Sequence, residues 1–226
     1  DSPCVRGFRE LGAQMALRMS PAWMRRHAAD FARWLLSVRQ EALLLRRFRA
    51  EKCVIGVEEH MEVRRFNVGL IPVIDWIEYD LGRELPEAAR EHPAMSILIE
   101  AACRAVAFGN ELYGYTKDRR ARFINSVSCA EREDKSSTSQ AFARIADLHD
   151  QAVAEMDLAG RALPKIHLRE VSPRRYMSAA TPSQYKCMLV ARAVAGARYA
   201  RRRCSRQTSA SVIPSPPNSR GIGIFR

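Results

Sequence analysis

The stretch FGNELYGYTKDRR, residues 108–120, carries polar side chains at a spacing that could bind a metal ion and a phosphate group. In an α-helix each residue rotates by about 100°, so Asn110, Gly114 and Asp118 drift by only about 40° per step along one face. Lys117 points in nearly the same direction as Asn110. Amide and carboxylate oxygens are ligands that Mg²⁺ prefers, and an ammonium group pairs with an anion that the cation also binds. The stretch therefore indicates half of a metal-assisted phosphate site.

The elements that position this stretch are predicted to be helices, because the sequence has helical periodicity and almost no strand pattern. Ser20 and Pro21 are typical of a helix start, and Gly69 is typical of a helix end. The predicted helices cover residues 20–49, 57–69, 72–82, 91–127 and 137–160. We therefore predict an all-α fold.

The composition favours a protein that does not cross a membrane. The chain has 226 residues, 47% of them hydrophobic, and no apolar run approaches the roughly 20 residues that span a bilayer. No leader with a charged start and an apolar centre opens the sequence. Six cysteines without CxxC spacing indicate buried or free thiols in a reducing compartment, so we expect a cytoplasmic protein.

The net charge of +12 is concentrated at the end of the chain. Residues 161–226 hold 14 of the 37 Lys and Arg residues and one of the 25 acids, so the first 160 residues are nearly neutral. Residues 201–226 are rich in Arg, Ser and Pro, which is typical of disorder. One alternative is thus a non-catalytic helical protein whose basic tail binds nucleic acid or acidic surfaces. We expect no nucleic-acid partner, because the tail lacks residues that read bases.

Residues 108–120 resemble the second metal motif of class I terpene synthases, in which a helix carries Asn, Ser and Glu at positions i, i+4 and i+8. Asn110 matches the first ligand, and Lys117 matches the base that precedes the last one. Asp118 replaces the Glu with a shorter carboxylate. Gly114 replaces the Ser or Thr, so the resemblance assigns these three positions to metal binding with one hydroxyl missing.

Two further positions extend the resemblance. The family has an arginine that senses the substrate diphosphate 46 residues before the Asn, and Arg64 lies at that distance from Asn110. The resemblance implies that Arg64 triggers the reaction and that Asn67 relays its movement. The family also has an Arg-Tyr pair further along the chain, which Arg198 and Tyr199 match. Diphosphate binding is thereby expected from Arg64, Lys117, Arg198 and Tyr199.

The resemblance implies a bacterial-type sesquiterpene cyclase with a class I terpenoid synthase helical bundle. Its expected chemistry is ionisation and cyclisation of a prenyl diphosphate, with farnesyl diphosphate as the expected substrate and three Mg²⁺ ions as cofactors. The family also has an Asp-rich metal motif, but no two aspartates are adjacent in this sequence. Because the sequence begins at Asp1 and not at Met, we expect that motif to lie upstream, and the activity of this chain alone stays open.

The expected domain organisation follows from the same comparison. Residues 1–165 are predicted to form the helical domain, residues 166–200 a degenerate helical segment, and residues 201–226 a disordered tail. The resemblance leaves the oligomeric state open, with a homodimer as one arrangement.

Overall fold

The protein was analysed as a computed structural model that describes residues 2–50, 53–163 and 169–170. Within these residues the helices are α1 (Pro3–Ala16), α2 (Pro21–Arg49), α3 (Val57–Asn67), α4 (Leu70–Leu81), α5 (Glu87–Arg90), α6 (Pro93–Ala121), α7 (Ser126–Glu133) and α8 (Thr138–Ala162). Strands β1 (Arg83–Glu84) and β2 (Arg169–Glu170) form one short antiparallel pair. The predicted all-α fold is confirmed. Nearly all of the predicted segment 166–200, the tail predicted over residues 201–226 and the Arg198-Tyr199 pair lie outside the described residues.

Side-chain caps define where the long helices begin. The Ser20 hydroxyl accepts a hydrogen bond from the backbone N–H of Trp23 at 3.1 Å, and Pro21 occupies the first turn of α2. At the start of α8, Ser137 and Gln140 exchange hydrogen bonds in a capping box. Such caps satisfy N–H groups that have no partner inside the helix. Both predicted helix starts are confirmed.

Three features of the helices differ from the prediction. The sequence pattern did not indicate α1. Helix α4 begins at Leu70, because Gly69 turns the chain with φ 73° and Pro72 is tolerated in the first turn. The predicted helix over residues 91–127 is two helices, since Arg122 ends α6 in the left-handed conformation with φ 53°, and the side chain of Asn125 caps α7.

Helix α6 is the central element of the described residues, and it packs along α8. Small side chains line both sides of this contact, and the fully buried ones are Ala101, Ala107, Ala141 and Ala152. Small residues let two helix backbones approach closely. Larger side chains, including Ile145 and Met156 of α8, fill the remaining space. The polar face of α6 is therefore presented at a position fixed by the core.

The structure bears on two features expected from the composition, the lack of a membrane-spanning segment and the presence of free cysteines. In the part of the chain that it describes, no helix is both long and apolar enough to cross a membrane. Cys4, Cys53, Cys103 and Cys129 are free thiols, as the spacing predicted. Burial raises the pKa of Cys103 and of Cys129 to about 12, so these two are unreactive side chains of the core.

Candidate functional site

One cavity of about 350 Å³ contains six of the eight residues that the sequence assigned to a site. Its walls come from α2, α3 and α6 and from the segment that follows α6. The six residues are Arg64, Asn67, Asn110, Gly114, Lys117 and Asp118. The other two, Arg198 and Tyr199, lie outside the described residues. Helix packing thus brings the Arg64 region to the motif on α6.

Arg64 is held by two side chains. Its Nε donates to Oε1 of Glu111 at 2.7 Å, and one terminal nitrogen donates to Oδ1 of Asn67 at 2.8 Å. Glu111 is 3% exposed, and its second oxygen accepts the backbone N–H of Ser126 at 2.8 Å. Burial raises the pKa of Glu111, and the Arg64 guanidinium opposes that rise. The guanidinium has five donors, so it retains hydrogen-bonding capacity towards an anion in the cavity.

Asp118 folds back over Gly114 on the same face of α6. A Cβ atom at position 114 would lie 2.8 Å from Oδ2 of Asp118, so the missing side chain leaves the space that the carboxylate occupies. Asn125 donates to the same oxygen at 3.1 Å, and the Lys117 ammonium lies 3.5 Å from the other one. The carboxylate therefore already has two partners within the protein.

Asn110 and Lys117 are both exposed on the cavity wall. Asn110 is open to solvent at its edge, and the side chain of Lys117 is 82% exposed. A ligand could therefore reach the amide oxygen and the ammonium without displacing a buried partner. By contrast, the neighbouring Arg65 points to the surface, where it pairs with Glu62 and Glu100 at 2.7 Å each.

The sequence analysis missed three residues of this site. Glu111 follows Asn110 directly, but successive helix residues are rotated by about 100°, so the spacing of the motif did not indicate it. Glu41 lies on α2, and burial raises the pKa of its carboxyl group while Arg64 lowers it. Asn125 binds both the Asp118 carboxylate and the backbone carbonyl of Glu111, at 2.9 Å. No local pattern connects Glu41 or Asn125 to the motif.

The oxygen donors on the cavity wall suit a hard cation, although they are few. Asn110 offers an amide oxygen and Asp118 a carboxylate, whereas Gly114 offers no side-chain donor. Over residues 2–50 and 53–163, no group of three His, Cys, Asp or Glu side chains is arranged to bind a metal ion. Mg²⁺ often binds one or two protein groups and completes its shell with waters and phosphate oxygens. The described residues therefore fit one such ion together with a phosphate ligand.

Comparison with known proteins identifies the family. Residues 1–155 match the family described as "Terpene synthase family 2, C-terminal metal binding". The 7-epi-alpha-eudesmol synthase of Streptomyces viridochromogenes, described as (2E,6E)-farnesyl diphosphate cyclizing, is 29% identical over 118 residues, which are 52% of this chain and 34% of that protein. The (+)-eremophilene synthase of Gibberella fujikuroi is 26% identical over 121 residues, or 50% and 34%. This chain thus spans about a third of each of these relatives.

Solved structures share the fold. The linalool/nerolidol synthase from Streptomyces clavuligerus superimposes with a TM-score of 0.72 at 22% identity, covering 88% of this chain and 65% of that one. The 2-methylisoborneol synthase from Streptomyces coelicolor A3(2), solved in complex with Mg²⁺ and geranyl-S-thiolodiphosphate, gives a TM-score of 0.64 at 22% identity. That superposition covers 82% of this chain and 54% of the synthase. At these identities the likeness establishes the helical class I terpene synthase fold.

Proposed function

Because the chain belongs to terpene synthase family 2, in the family's C-terminal metal-binding part, we propose that it supplies the second metal motif and part of the diphosphate site of a terpene synthase. The reaction would be Mg²⁺-dependent ionisation and cyclisation of a prenyl diphosphate with release of diphosphate. One observation carries the proposal. Arg64 and Asn110 are 46 residues apart in sequence, and they line one cavity together with Lys117 and Asp118.

The metal part of the proposal rests on α6. Asn110 and Asp118 are the side chains that would hold Mg²⁺, and Gly114 leaves the position between them without a donor. When bound, Mg²⁺ supplies positive charge that stabilises the diphosphate as its bond to carbon breaks. The resemblance to the family implies three such ions in a complete site. The described residues offer donors for one of them.

The diphosphate part of the proposal rests on Arg64 and Lys117. Glu111 and Asn67 fix the orientation of the Arg64 guanidinium through two hydrogen bonds, which reduces the side-chain entropy lost when an anion binds. Lys117 adds a mobile positive charge at the cavity edge. In this proposal Arg64 senses the diphosphate, Asn67 transmits its movement to the turn before α4, and Arg198 and Tyr199 complete the anion site.

The substrate class follows from the relatives. The 7-epi-alpha-eudesmol synthase carries farnesyl diphosphate in its description, whereas one structure of the linalool/nerolidol synthase contains 2-fluorogeranyl diphosphate. We propose farnesyl diphosphate as the substrate of this chain's complete site. The diphosphate group is common to both substrates, so the residues discussed above would bind either of them.

Calorimetry with inorganic diphosphate, with and without Mg²⁺, tests this assignment. Arg64→Ala should weaken binding roughly tenfold or more, since it removes a charge-assisted contact from the cavity, while Arg65→Ala should leave binding nearly unchanged. Both changes remove one positive charge from α3, so the pair is matched. Asn110→Ala should remove the gain in affinity that Mg²⁺ gives. Equal losses in the two arginine variants would overturn the diphosphate site, and an unchanged Mg²⁺ effect in Asn110→Ala would overturn the metal site.

A further inference from the structure

A second cavity, of about 230 Å³, shares the lining residue Phe123 with the cavity of the candidate functional site. We call it the arginine pocket. Its lining residues are Phe48, Arg49, Arg119, Arg122, Phe123, Ser128, Glu131 and Arg132. Four arginines thus face one acid, whereas the helical part of the chain as a whole is nearly neutral. The proposed terpene synthase reaction uses none of these residues.

Two of the arginines are held in place by contacts that leave donors available. A terminal nitrogen of Arg132 donates to the backbone carbonyl of Phe48 at 3.1 Å, and its guanidinium carbon lies 3.9 Å from the centre of the Phe48 ring. Nε of Arg49 donates to the carbonyl of Arg122 at 3.0 Å, and its guanidinium lies over the Phe123 ring. Carbonyl and ring contacts orient a guanidinium without neutralising its charge.

The single acid of the pocket neutralises little of this charge. Glu131 accepts hydrogen bonds from the hydroxyl groups of Tyr115, at 3.1 Å, and of Thr138. The nearest guanidinium nitrogen of Arg119 is 3.8 Å from Glu131 and donates instead to the Tyr115 hydroxyl at 2.5 Å. Glu131 therefore leaves the charges of Arg49 and Arg132 largely unneutralised, since their contacts in the pocket are with carbonyl oxygens and aromatic rings.

We propose that the arginine pocket binds a small phosphate-type oxyanion. Planar guanidinium groups match the oxygens of phosphate with paired N–H donors. The volume of about 230 Å³ is below the roughly 300–1,000 Å³ typical of pockets for larger organic ligands, so it favours inorganic phosphate or diphosphate over a nucleotide. Guanidinium groups already cover the Phe48 and Phe123 rings, which argues against an aromatic ligand.

Titration calorimetry with inorganic phosphate, in a metal chelator, tests the proposal on the intact chain. Arg132→Met should weaken phosphate binding roughly tenfold. Arg161→Met is the matched control, since it removes the same charge from an exposed residue of α8 that pairs with Asp157. It should leave the affinity unchanged. The titrations are repeated in an Arg64→Ala background, which removes the anion contact of the candidate functional site, and the loss caused by Arg132→Met should persist there.

Glu131→Gln should change phosphate affinity in the opposite direction to Arg132→Met. It removes the negative charge and keeps an amide oxygen that can accept hydrogen bonds, so phosphate should bind more tightly. A second titration with diphosphate, in the Arg64→Ala background, identifies the source of the anion: tighter binding of diphosphate than of phosphate indicates the product of the proposed reaction, and the reverse order indicates free phosphate. No heat for either anion at millimolar concentration would overturn the proposal. So would an equal loss in Arg132→Met and Arg161→Met, or a loss in Arg132→Met that disappears in the Arg64→Ala background.

Discussion

Gly114 is the residue at which this chain departs most clearly from the metal motif that it resembles. The structure adds a consequence that spacing alone did not reveal: the Asp118 carboxylate occupies the space next to Gly114, where a Cβ atom would lie 2.8 Å from Oδ2. Any side chain at position 114 must therefore move the carboxylate. Since that carboxylate is the end of a flexible side chain, a rotation of Asp118 relieves the contact at little cost.

Gly114→Ser should raise the affinity for Mg²⁺ in the presence of diphosphate, because it adds a hydroxyl ligand between Asn110 and Asp118. Gly114→Ala is the matched control, since it adds the same Cβ atom and the same displacement of Asp118 without the hydroxyl. Calorimetric titration of Mg²⁺ into the unchanged chain, Gly114→Ser and Gly114→Ala, each with diphosphate present, would measure the three affinities. If Ala tightens Mg²⁺ binding as much as Ser does, the gain comes from moving Asp118 and the hydroxyl has no role.

His60 gives the site region a predictable response to pH. It is 1% exposed, and its Nδ1 lies 3.1 Å from the Ser126 hydroxyl. Burial and the neighbouring Arg64 guanidinium lower its pKa from 6.5 to about 3, while Asp118 acts in the opposite direction. Between those two values the unfolded chain binds a proton at this position and the folded chain does not. The free energy of unfolding therefore falls, as far as His60 is concerned, when the pH drops from about 6.5 towards 3.

Replacing this histidine should remove that dependence. In His60→Gln, the free energy of unfolding should fall less than in the unchanged chain when the pH is lowered from 7 to 5, by up to about 1.4 kcal/mol per pH unit. Thermal melting of both proteins at each pH measures the difference. The buried carboxyl groups with raised pKa values, such as Glu111, are present in both proteins, so their opposite contribution cancels in the comparison. An equal loss of stability in the two proteins between pH 7 and pH 5 would contradict the assignment of His60 as a neutral, buried side chain.

The residues of the site could be predicted from sequence only where they lie on one helix or at a known distance from it. Asn110, Lys117 and Asp118 share a face of α6, and the 46-residue distance identified Arg64. Glu41 and Asn125 reach the cavity through packing of α2 and through the turn before α7. Glu131 of the arginine pocket is likewise half-buried against Tyr115, because its hydrogen-bond partners come from α6 and α8. Tertiary contacts of this kind leave no local pattern.

At the scale of elements, helix starts were easier to predict than helix ends. Ser20 and Ser137 indicate the start of a helix, because a serine hydroxyl can accept a hydrogen bond from a backbone N–H group of the first helical turn. The end of α6 depends on Arg122, which adopts a left-handed conformation that is uncommon for a residue with a side chain. Its sequence therefore favoured a continuous helix through residue 127. The sequence correctly indicated that α3 ends near Gly69. Only the backbone conformation showed that Gly69 also forms the sharp turn into α4.

The turn at Gly69 connects the site to the rest of the fold. Gly69 has φ 73°, and a Cβ atom there would lie 3.2 Å from Nε1 of Trp34, which donates to the Asn67 carbonyl. Gly69→Ala should therefore lose about 1–2 kcal/mol from left-handed strain, and more from displacing Trp34. Gly82→Ala is the matched control, with φ 61° and open space around the added atom. Urea unfolding would compare the two.

Equal destabilisation in Gly69→Ala and Gly82→Ala would mean that the Trp34 contact adjusts without cost. The expected order also has a functional readout. Because Asn67 lies two residues before Gly69 and binds Arg64 at 2.8 Å, Gly69→Ala should weaken diphosphate binding, whereas Gly82→Ala should not.

At the scale of the whole chain, the sequence predicted which segments are helical but did not predict which apolar side chains are buried. The periodicity of α2 predicted a helix with an apolar face, and the helix is present. Several large side chains of that helix are nevertheless exposed, namely Leu35, Leu36, Val38 and Leu43. An apolar pattern predicts that a face tends to be covered, without identifying what covers it. The fold class followed from the pattern, whereas the extent of the core did not.

The 226-residue chain by itself should not cyclise a prenyl diphosphate. Departure of the diphosphate concentrates negative charge, and Mg²⁺ must be held in near-octahedral coordination to stabilise it. The sequence has no adjacent aspartates, and residues 2–50 and 53–163 contain no cluster of three acidic, His or Cys side chains suited to a metal. Arg64 and Lys117 should still bind diphosphate.

The measurement is incubation of the purified chain with farnesyl diphosphate or geranyl diphosphate and Mg²⁺, followed by gas chromatography of volatile hydrocarbons. Diphosphate binding by calorimetry on the same preparation serves as the control for a folded site. Binding without cyclic products is the expected result, because Arg64 and Lys117 recognise the anion while Asn110 and Asp118 provide too few oxygen ligands for a multi-metal cluster. Cyclic products above the enzyme-free background would contradict it, and would mean that other acidic residues of the chain contribute a second metal site.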